Sequence, residues 1–241
     1  MTALAIMLIA TGIADILRRL TARRWLAVAA VPVVVVGVAA LAALWHPGDL
    51  VPLAVAAAAG ITWVVLGARA ERTGAHELAP LLVFGAAVGV LILLSGWDSD
   101  VGGLVAKWPS WVGFAVDPDR LLMIVGAGLL MTVTGNQLVR LILGSVGAVK
   151  PAGEPQPSDR LKGGRLLGPM ERLLIFGLGL AGQLAAATAV VAAKSIIRFP
   201  EINAQKAREN GGIGIDEVTE YFLVGSFASW IVALGGLALT G

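Results

Sequence analysis

Cysteine is absent from the 241 residues of this chain, which excludes disulfides, thiolate nucleophiles and cysteine-based metal sites. Histidine occurs only at positions 46 and 76, on opposite loops, with neither an HExxH pattern nor a DxxD pair. No GxxxxGK sequence and no dinucleotide-binding fingerprint is present. The sequence therefore predicts no metal site and no cofactor.

Charged residues are also scarce, at 14% of the chain against roughly 25% in an average soluble domain. The hydrophobic fraction is 57%, and the charges gather in short segments between long apolar runs. A soluble protein of this composition would need several buried helices with almost no polar shell. We therefore interpret the chain as an all-α, polytopic transmembrane helix bundle whose main partner is the lipid bilayer. The net charge of +2 belongs to membrane anchors rather than to nucleic-acid binding.

The apolar runs predict about seven transmembrane helices in a single integral membrane domain, 1–241. Their predicted bounds are 2–17, 25–45, 53–68, 78–96, 119–143, 168–201 and 217–239. HPGDLVP at 46–52 predicts a tight turn. Segment 97–118 predicts an interfacial loop with a short amphipathic turn. Segment 144–168 is rich in glycine and proline, which predicts a flexible cytoplasmic linker between helices five and six.

Basic residues in the loops predict the orientation. Segments 18–24, 69–77 and 144–168 hold four, two and four Lys or Arg residues, whereas 46–52 holds none and 97–118 holds one. This distribution places the N-terminus outside and the C-terminus in the cytoplasm. Loop 198–208 contradicts the pattern, because it carries three basic residues and falls outside in a seven-helix topology.

Helix 168–201 carries a polar stripe. Arg172, Gln183 and Lys194 recur every eleven residues, which places them on one face of a continuous helix. A polar stripe on an apolar helix faces protein or a water-filled cavity rather than lipid. At about 1.5 Å per residue, Arg172 and Lys194 would be roughly 33 Å apart, at opposite membrane faces.

The predicted topology groups the remaining polar residues into two candidate clusters. The inner cluster consists of Asp15, Asn136, Arg140, Glu171 and Arg172. The outer cluster consists of Lys194, Ser195, Arg198, Glu201, Glu220 and Tyr221. We expect a Lys194–Glu220 contact with Arg198 and Glu201 at its rim, and a cation from helix five or six beside Asp15. Local pairing of Asp15 with Arg18 or Arg19 is the alternative for that carboxylate, and structural anchoring is the alternative for both clusters.

The runs GRLLGPMERLLIFGLGLAGQ, AAKSIIRFPE and TEYFLVGSFASW together resemble the C-terminal half of a family of bacterial integral membrane proteins, classed as a domain of unknown function. The match covers mainly residues 165–230. Its matching positions are Gly168, Glu171, Arg172, Ala193, Lys194, Ser195, Arg198, Phe199, Glu201, Glu220, Tyr221 and Gly225, with Asp15 matching an Ala-Asp helix nearer the N-terminus. The resemblance implies a shared fold in the bacterial cytoplasmic membrane and supplies no reaction.

Three functional classes fit these features. A structural or assembly subunit of a membrane complex, with a membrane-protein partner or a second copy of the chain, needs only small-residue faces and is the preferred hypothesis. A transporter or channel for a small solute or ion would use the stripe of Gln183. An intramembrane enzyme would hold a phospholipid head group with Lys194 and Arg198, and Glu201 or Glu220 would act as base.

Overall fold

The computed structural model describes residues 1–21, 23–113, 115–149, 164–194, 196 and 214–241, and this part of the chain contains helices and no strands. The helices are α1 Thr2–Leu20, α2 Arg24–Leu41, α3 Pro47–Thr73, α4 Leu78–Leu93, α5 Gly103–Trp111, α6 Pro118–Leu129, α7 Gly135–Ser145, α8 Gly164–Leu180, α9 Leu184–Lys194 and α10 Gly214–Ala238. A 3₁₀ turn, Leu94–Trp97, extends α4, and a π turn, Leu130–Thr134, joins α6 to α7.

Five helical segments are long and apolar enough to cross a membrane. They are Arg24–Leu41, Pro47–Thr73, Leu78–Trp97, Pro118–Ser145 and Thr219–Ala238. All five coincide with predicted transmembrane helices to within a few residues, apart from α3, which extends at both ends. The all-α architecture is confirmed, and it is compatible with a multi-pass membrane protein.

Helix α1 lies at the centre of the bundle. Its side chains from Thr2 to Gly12 are all buried, because α2, α3 and α6 surround it. Glycine allows one of these close contacts: a Cβ atom at Gly126 of α6 would lie 2.8 Å from the carbonyl oxygen of Ala5. A helix that is apolar and buried on every side is the core of the molecule rather than a lipid-facing element.

Polar contacts define two ends of the bundle. At the first, which we call the Met1 end, the N-terminal amine lies 3.2 Å from Asp98 and Thr2 donates to Asp119. Arg120 at this end donates to the carbonyl of Thr240, so both chain termini lie here. At the opposite end, the Arg18 end, Arg18 donates to Glu71 at 2.9 Å.

The predicted sixth helix, 168–201, is not one helix. Helix α8 ends in a Schellman motif, with Gly182 in the left-handed region (φ 73°). The amide of Gln183 donates to Leu178 and that of Gly182 to Gly179. The chain then reverses into α9, so the prediction of a single membrane-crossing helix here was wrong.

This hairpin changes the topology. The predicted topology places the two termini on opposite sides of the membrane, whereas the structure has them together at the Met1 end. Helix α9 has 11 residues and rises about 16 Å, roughly half of the hydrocarbon thickness. A returning hairpin in place of one continuous helix brings the C-terminus to the same end of the bundle as Met1.

Smaller differences concern the connections. The predicted turn 46–52 is the first turn of α3, with Pro47 at its first position and Asp49 accepting from the His46 amide. The predicted linker 144–168 shares its last five residues with α8, and 150–163 lies outside the described residues. Segment 97–118 contains the short helix α5, as the sequence predicts.

Single cysteines test the placement of the C-terminus, since the natural chain has none. We expect an impermeant maleimide to label Gly241→Cys and Ser110→Cys from one side of the membrane, and Thr73→Cys from the other. All three positions are exposed. Labelling of Gly241→Cys together with Thr73→Cys would instead support seven crossings.

Candidate functional site

Asp15 is the most deeply buried carboxylate among the described residues, with none of its surface exposed. Its Oδ2 atom accepts from the indole Nε1 of Trp63 at 3.0 Å and from the hydroxyl of Thr134 at 2.9 Å. Arg18, one turn along α1, forms an ion pair with Asp15, because its Nη2 atom lies 3.5 Å from Oδ1 without a hydrogen bond, while its Nη1 atom donates to Glu71. The local partner Arg18 is therefore the cation beside Asp15, and the expected cation from helix five or six is absent from its described contacts.

Three buried polar atoms in this region have no hydrogen-bond partner among the described residues. They are Asp15 Oδ1 and both side-chain amide atoms of Gln137, a residue that is 1% exposed. Gln137 lies one turn beyond Thr134 on α7, and its Nε2 atom would be 3.5 Å from a Cβ atom at Gly67 of α3. Buried polar atoms without hydrogen-bond partners are rare in folded proteins, so these three atoms require an explanation.

Arg172 of α8 binds the π turn. Residue Thr132 has φ −85° and ψ −112°, which is not helical, so the helical hydrogen-bond ladder is interrupted there. The guanidinium of Arg172 donates to the carbonyls of Met131 (2.9 Å) and Thr132 (3.3 Å). It also donates to Asn136 Oδ1 at 2.6 Å and to the Ser229 hydroxyl at 3.1 Å. One buried cation thereby joins α8, the π turn, α7 and α10.

Glu171 and Lys194 form an ion pair across the hairpin. Their Nζ and Oε2 atoms are 2.5 Å apart, and Trp230 of α10 donates to Oε1 of Glu171 at 2.8 Å. Lys194 Nζ also lies about 6 Å from the ring centres of Phe222 and Trp230, in cation–π range. The predicted separation of roughly 33 Å along a continuous helix is therefore wrong, because Gly182 turns the chain back on itself.

A small cleft opens at the Arg18 end between α3 and α7. Its volume is about 20 Å³, which is room for about one water molecule. It is lined by Ala70, Glu71, Gly74, Glu77, Arg140, Leu141, Gly144 and Val149. Glu71 connects this cleft to the centre of the bundle, because it accepts from the Arg18 guanidinium that lies beside Asp15.

The structure only partly brings together the predicted site residues. Of the inner cluster, Asn136 meets Arg172, and Glu171 lies next to Arg172 in sequence but pairs with Lys194. Arg140 lines the cleft, apart from both. Of the outer cluster, Lys194 pairs with Glu171, and Glu220 is exposed. The described contacts include no direct ion pair between Lys194 and Glu220, so the expected contact between them stays a prediction.

The rest of the predicted set is dispersed. Tyr221 is half-buried on α10, and Gln183 is exposed in the hairpin turn. The described part of segment 168–201 therefore carries no continuous polar stripe. Ser195, Arg198 and Glu201 lie outside the described residues.

Sequence reasoning missed two partners of Asp15. Trp63 is 1% exposed and packs against Phe84 with ring centres 5.0 Å apart. Thr134 is fully buried. For Trp63, the signal of a buried role is its position, because a tryptophan 16 residues into the 27-residue α3 lies far from both helix ends.

Among the described residues, no group of three or more His, Asp or Glu side chains is arranged to hold a metal ion. Comparisons with family models, with curated proteins and with solved structures give no match to this chain. The resemblance to a bacterial membrane family therefore stays a prediction.

Substitution of Gly135 tests the contact between Arg172 and the π turn. A Cβ atom there would lie 2.7 Å from the Leu130 carbonyl and 2.8 Å from Arg172 Nε. We expect Gly135→Ala to destabilise the protein by about 1–3 kcal/mol, measured by thermal unfolding in detergent, because the backbone cannot move away without breaking these bonds. The matched control is Gly128→Ala, where a Cβ atom meets nothing within 4 Å, and it should be neutral or stabilising. Equal effects of the two alanines would contradict the arrangement.

A double-mutant cycle tests the ion pair of the hairpin. Lys194→Met and Glu171→Gln should be non-additive, with a coupling of about 0.5–3 kcal/mol in thermal stability, because the two side chains share one contact. Lys194→Met combined with Glu220→Gln serves as the control and should be additive within about 0.5 kcal/mol. A strong coupling to Glu220 and none to Glu171 would restore the sequence-based pairing.

Proposed function

We propose that this chain is a multi-pass membrane protein that moves a small cation across the bilayer, with Asp15 as the group that takes up the cation. The observation that carries the proposal is Asp15, a fully buried carboxylate at the centre of the bundle whose Oδ1 atom accepts no hydrogen bond among the described residues and faces the Arg18 guanidinium at 3.5 Å. Ionisable residues at membrane depth are energetically costly and mark ion pathways and proton relays.

The interrupted helix beside Asp15 supports the same class of function. Transport proteins form their central sites from discontinuous helices, and non-helical backbone at membrane depth is tolerated where protein buries it or where it lines a cavity. Here the π turn meets Asp15 through Thr134, and π turns occur frequently at functional sites.

The charges of the site favour a cation over an anion. Arg172 is the other buried charge near the π turn, and four of its five N–H groups are directed to carbonyl, hydroxyl and amide oxygens. It therefore has little capacity for an anionic ligand, whereas Oδ1 of Asp15 can still accept a hydrogen bond or contact a cation, because it has no hydrogen-bond partner among the described residues.

The two other functional classes receive less support. A lipid-head-group enzyme would need a free Lys194, but that ammonium is paired with Glu171 and flanked by aromatic rings. A structural subunit, or a partner formed by a second copy of the chain, would not need an unsatisfied buried carboxylate. A structural role remains the outcome expected if no cation flux is found.

We further propose a bacterial cytoplasmic membrane with the Arg18 end facing the cytoplasm. The described basic residues at this end are Arg18, Arg19, Arg23, Arg24, Arg69, Arg72 and Arg140, whereas Lys107 and Arg120 are those near the Met1 end. Cytoplasmic loops are enriched in such residues. Segment 198–208, the exception in the sequence-based topology, lies outside the described residues.

Proteoliposomes test cation movement, with the proton as the probe. Purified protein is reconstituted around the pH-sensitive dye pyranine, and a potassium gradient with valinomycin sets the membrane potential. We expect protein-dependent acidification in the wild type and a loss of at least tenfold in its rate for Asp15→Asn, which removes the ionisable group.

Glu220→Gln is the control, because this exposed carboxylate has no part in the proposed site, and its rate should equal that of the wild type. Wild-type vesicles that acidify no faster than protein-free vesicles would contradict proton movement and favour the structural role.

A further inference from the structure

The unsatisfied atoms near Asp15 lie on the side of the bundle that faces the Arg18 end. Thr134 and Trp63 hold Asp15 Oδ2, and one helical turn beyond each of them come Gln137 on α7 and Gly67 on α3. The Gln137 amide lies against the bare backbone of Gly67. The Gln137 amide therefore lies between α3 and α7, at a place that a larger side chain at position 67 would fill.

The cleft continues this interface outward. Ala70 and Glu71 follow Gly67 by one turn, and Arg140 and Leu141 follow Gln137 by one turn, and all four line the cleft. The charged groups of the cleft are Arg140, Glu71 and Glu77, and the buried groups without hydrogen-bond partners among the described residues are the Gln137 amide and Asp15 Oδ1. The charged side chains thus line the open cleft, and the polar atoms without hydrogen-bond partners are buried in the bundle.

We propose that bound water occupies the interface at Gln137 and Gly67 and delivers protons from the Arg18 end to Asp15. This inference rests on the proposed function and specifies it: the cation is the proton, and its access is from one side. A proton leaves a water molecule and forms an O–H bond at Asp15 Oδ1, while that water receives another proton from the cleft. The reverse step returns the proton to that water, and no electron is transferred.

The chemistry of the unsatisfied atoms favours water over a metal cation. Gln137 leaves both a donor, Nε2, and an acceptor, Oε1, without partners, and Asp15 leaves an acceptor. Water both donates and accepts, so bound water molecules can pair with each of these kinds of atom. A sodium ion would satisfy the two oxygens and leave the Nε2 hydrogens unpaired.

Cysteine accessibility tests the water-filled interface in the full-length, reconstituted chain. Gly67→Cys places a thiol in ordinary contact with Gln137, since the Cβ position is 3.5 Å from Nε2. We expect Ag⁺, a thiol-reactive cation close to water in size, to react with this thiol at least tenfold faster when it is added at the Arg18 end than when it is added at the Met1 end.

Ala56→Cys is the matched control. It lies eleven residues earlier on the same face of α3, is fully buried, and is on the Met1-end side of Trp63. We expect no modification of this thiol from either side. Gln137→Cys on α7 is a second reporter of the same interface, for use if Gly67→Cys does not fold.

Rates at Gly67→Cys no higher than at Ala56→Cys would overturn the water-filled interface. Protection of Gly67→Cys by millimolar Na⁺ would also overturn it, because the occupant would then be a sodium ion. Thiol modification requires no flux. Accessible Gly67→Cys in a protein without proton flux would refute the proposed function alone, and flux with inaccessible Gly67→Cys would refute the water-filled interface alone.

Discussion

The backbone of the π turn imposes the constraint on which the rest of the bundle depends. In an apolar interior, carbonyl groups released from a helical ladder must find donors, since each unsatisfied group costs several kcal/mol in hydrocarbon. Arg172 supplies these donors to Met131 and Thr132. Because the same guanidinium reaches Ser229, it also fixes the depth of α8 and the position of α10. A buried cation, costly by itself, is here compensated by backbone oxygens rather than by a carboxylate of the described residues.

The hairpin formed by α8 and α9 follows from that fixed depth. Once Arg172 is bound at the π turn, its neighbour Glu171 is also inside the bundle and needs a cation. Lys194, at the end of the returning limb, meets this need. The pair is neutral overall and its remaining oxygen accepts from Trp230, as a buried ion pair requires. The reversal at Gly182 thus places two charges 23 residues apart in sequence within one contact.

Hydrophobic runs in the sequence suffice to predict α2, α4, the α6–α7 rod and α10, because a long apolar segment has few alternatives to a helix. They do not distinguish a crossing helix from a returning hairpin, since both are apolar along their length. The signal for the hairpin was local: Gly182 permits the left-handed C-cap that ends α8. The partners of Asp15 could not be predicted, because the Trp63 and Thr134 contacts join residues 48 and 119 positions away.

Asp15 and Arg172 do not touch in this arrangement, yet they hold the same short turn from two sides. Asp15 accepts from Thr134 at its end, and Arg172 donates to the carbonyls of Met131 and Thr132 within it. A rearrangement of the turn that withdrew the Thr134 hydroxyl would leave a buried carboxylate with one donor fewer, at a cost of about 1–3 kcal/mol. A change of charge at Asp15 alters the strength of that same hydrogen bond. The protonation state of Asp15 and the conformation of the turn are therefore energetically linked, and the hairpin is attached to the turn through Arg172.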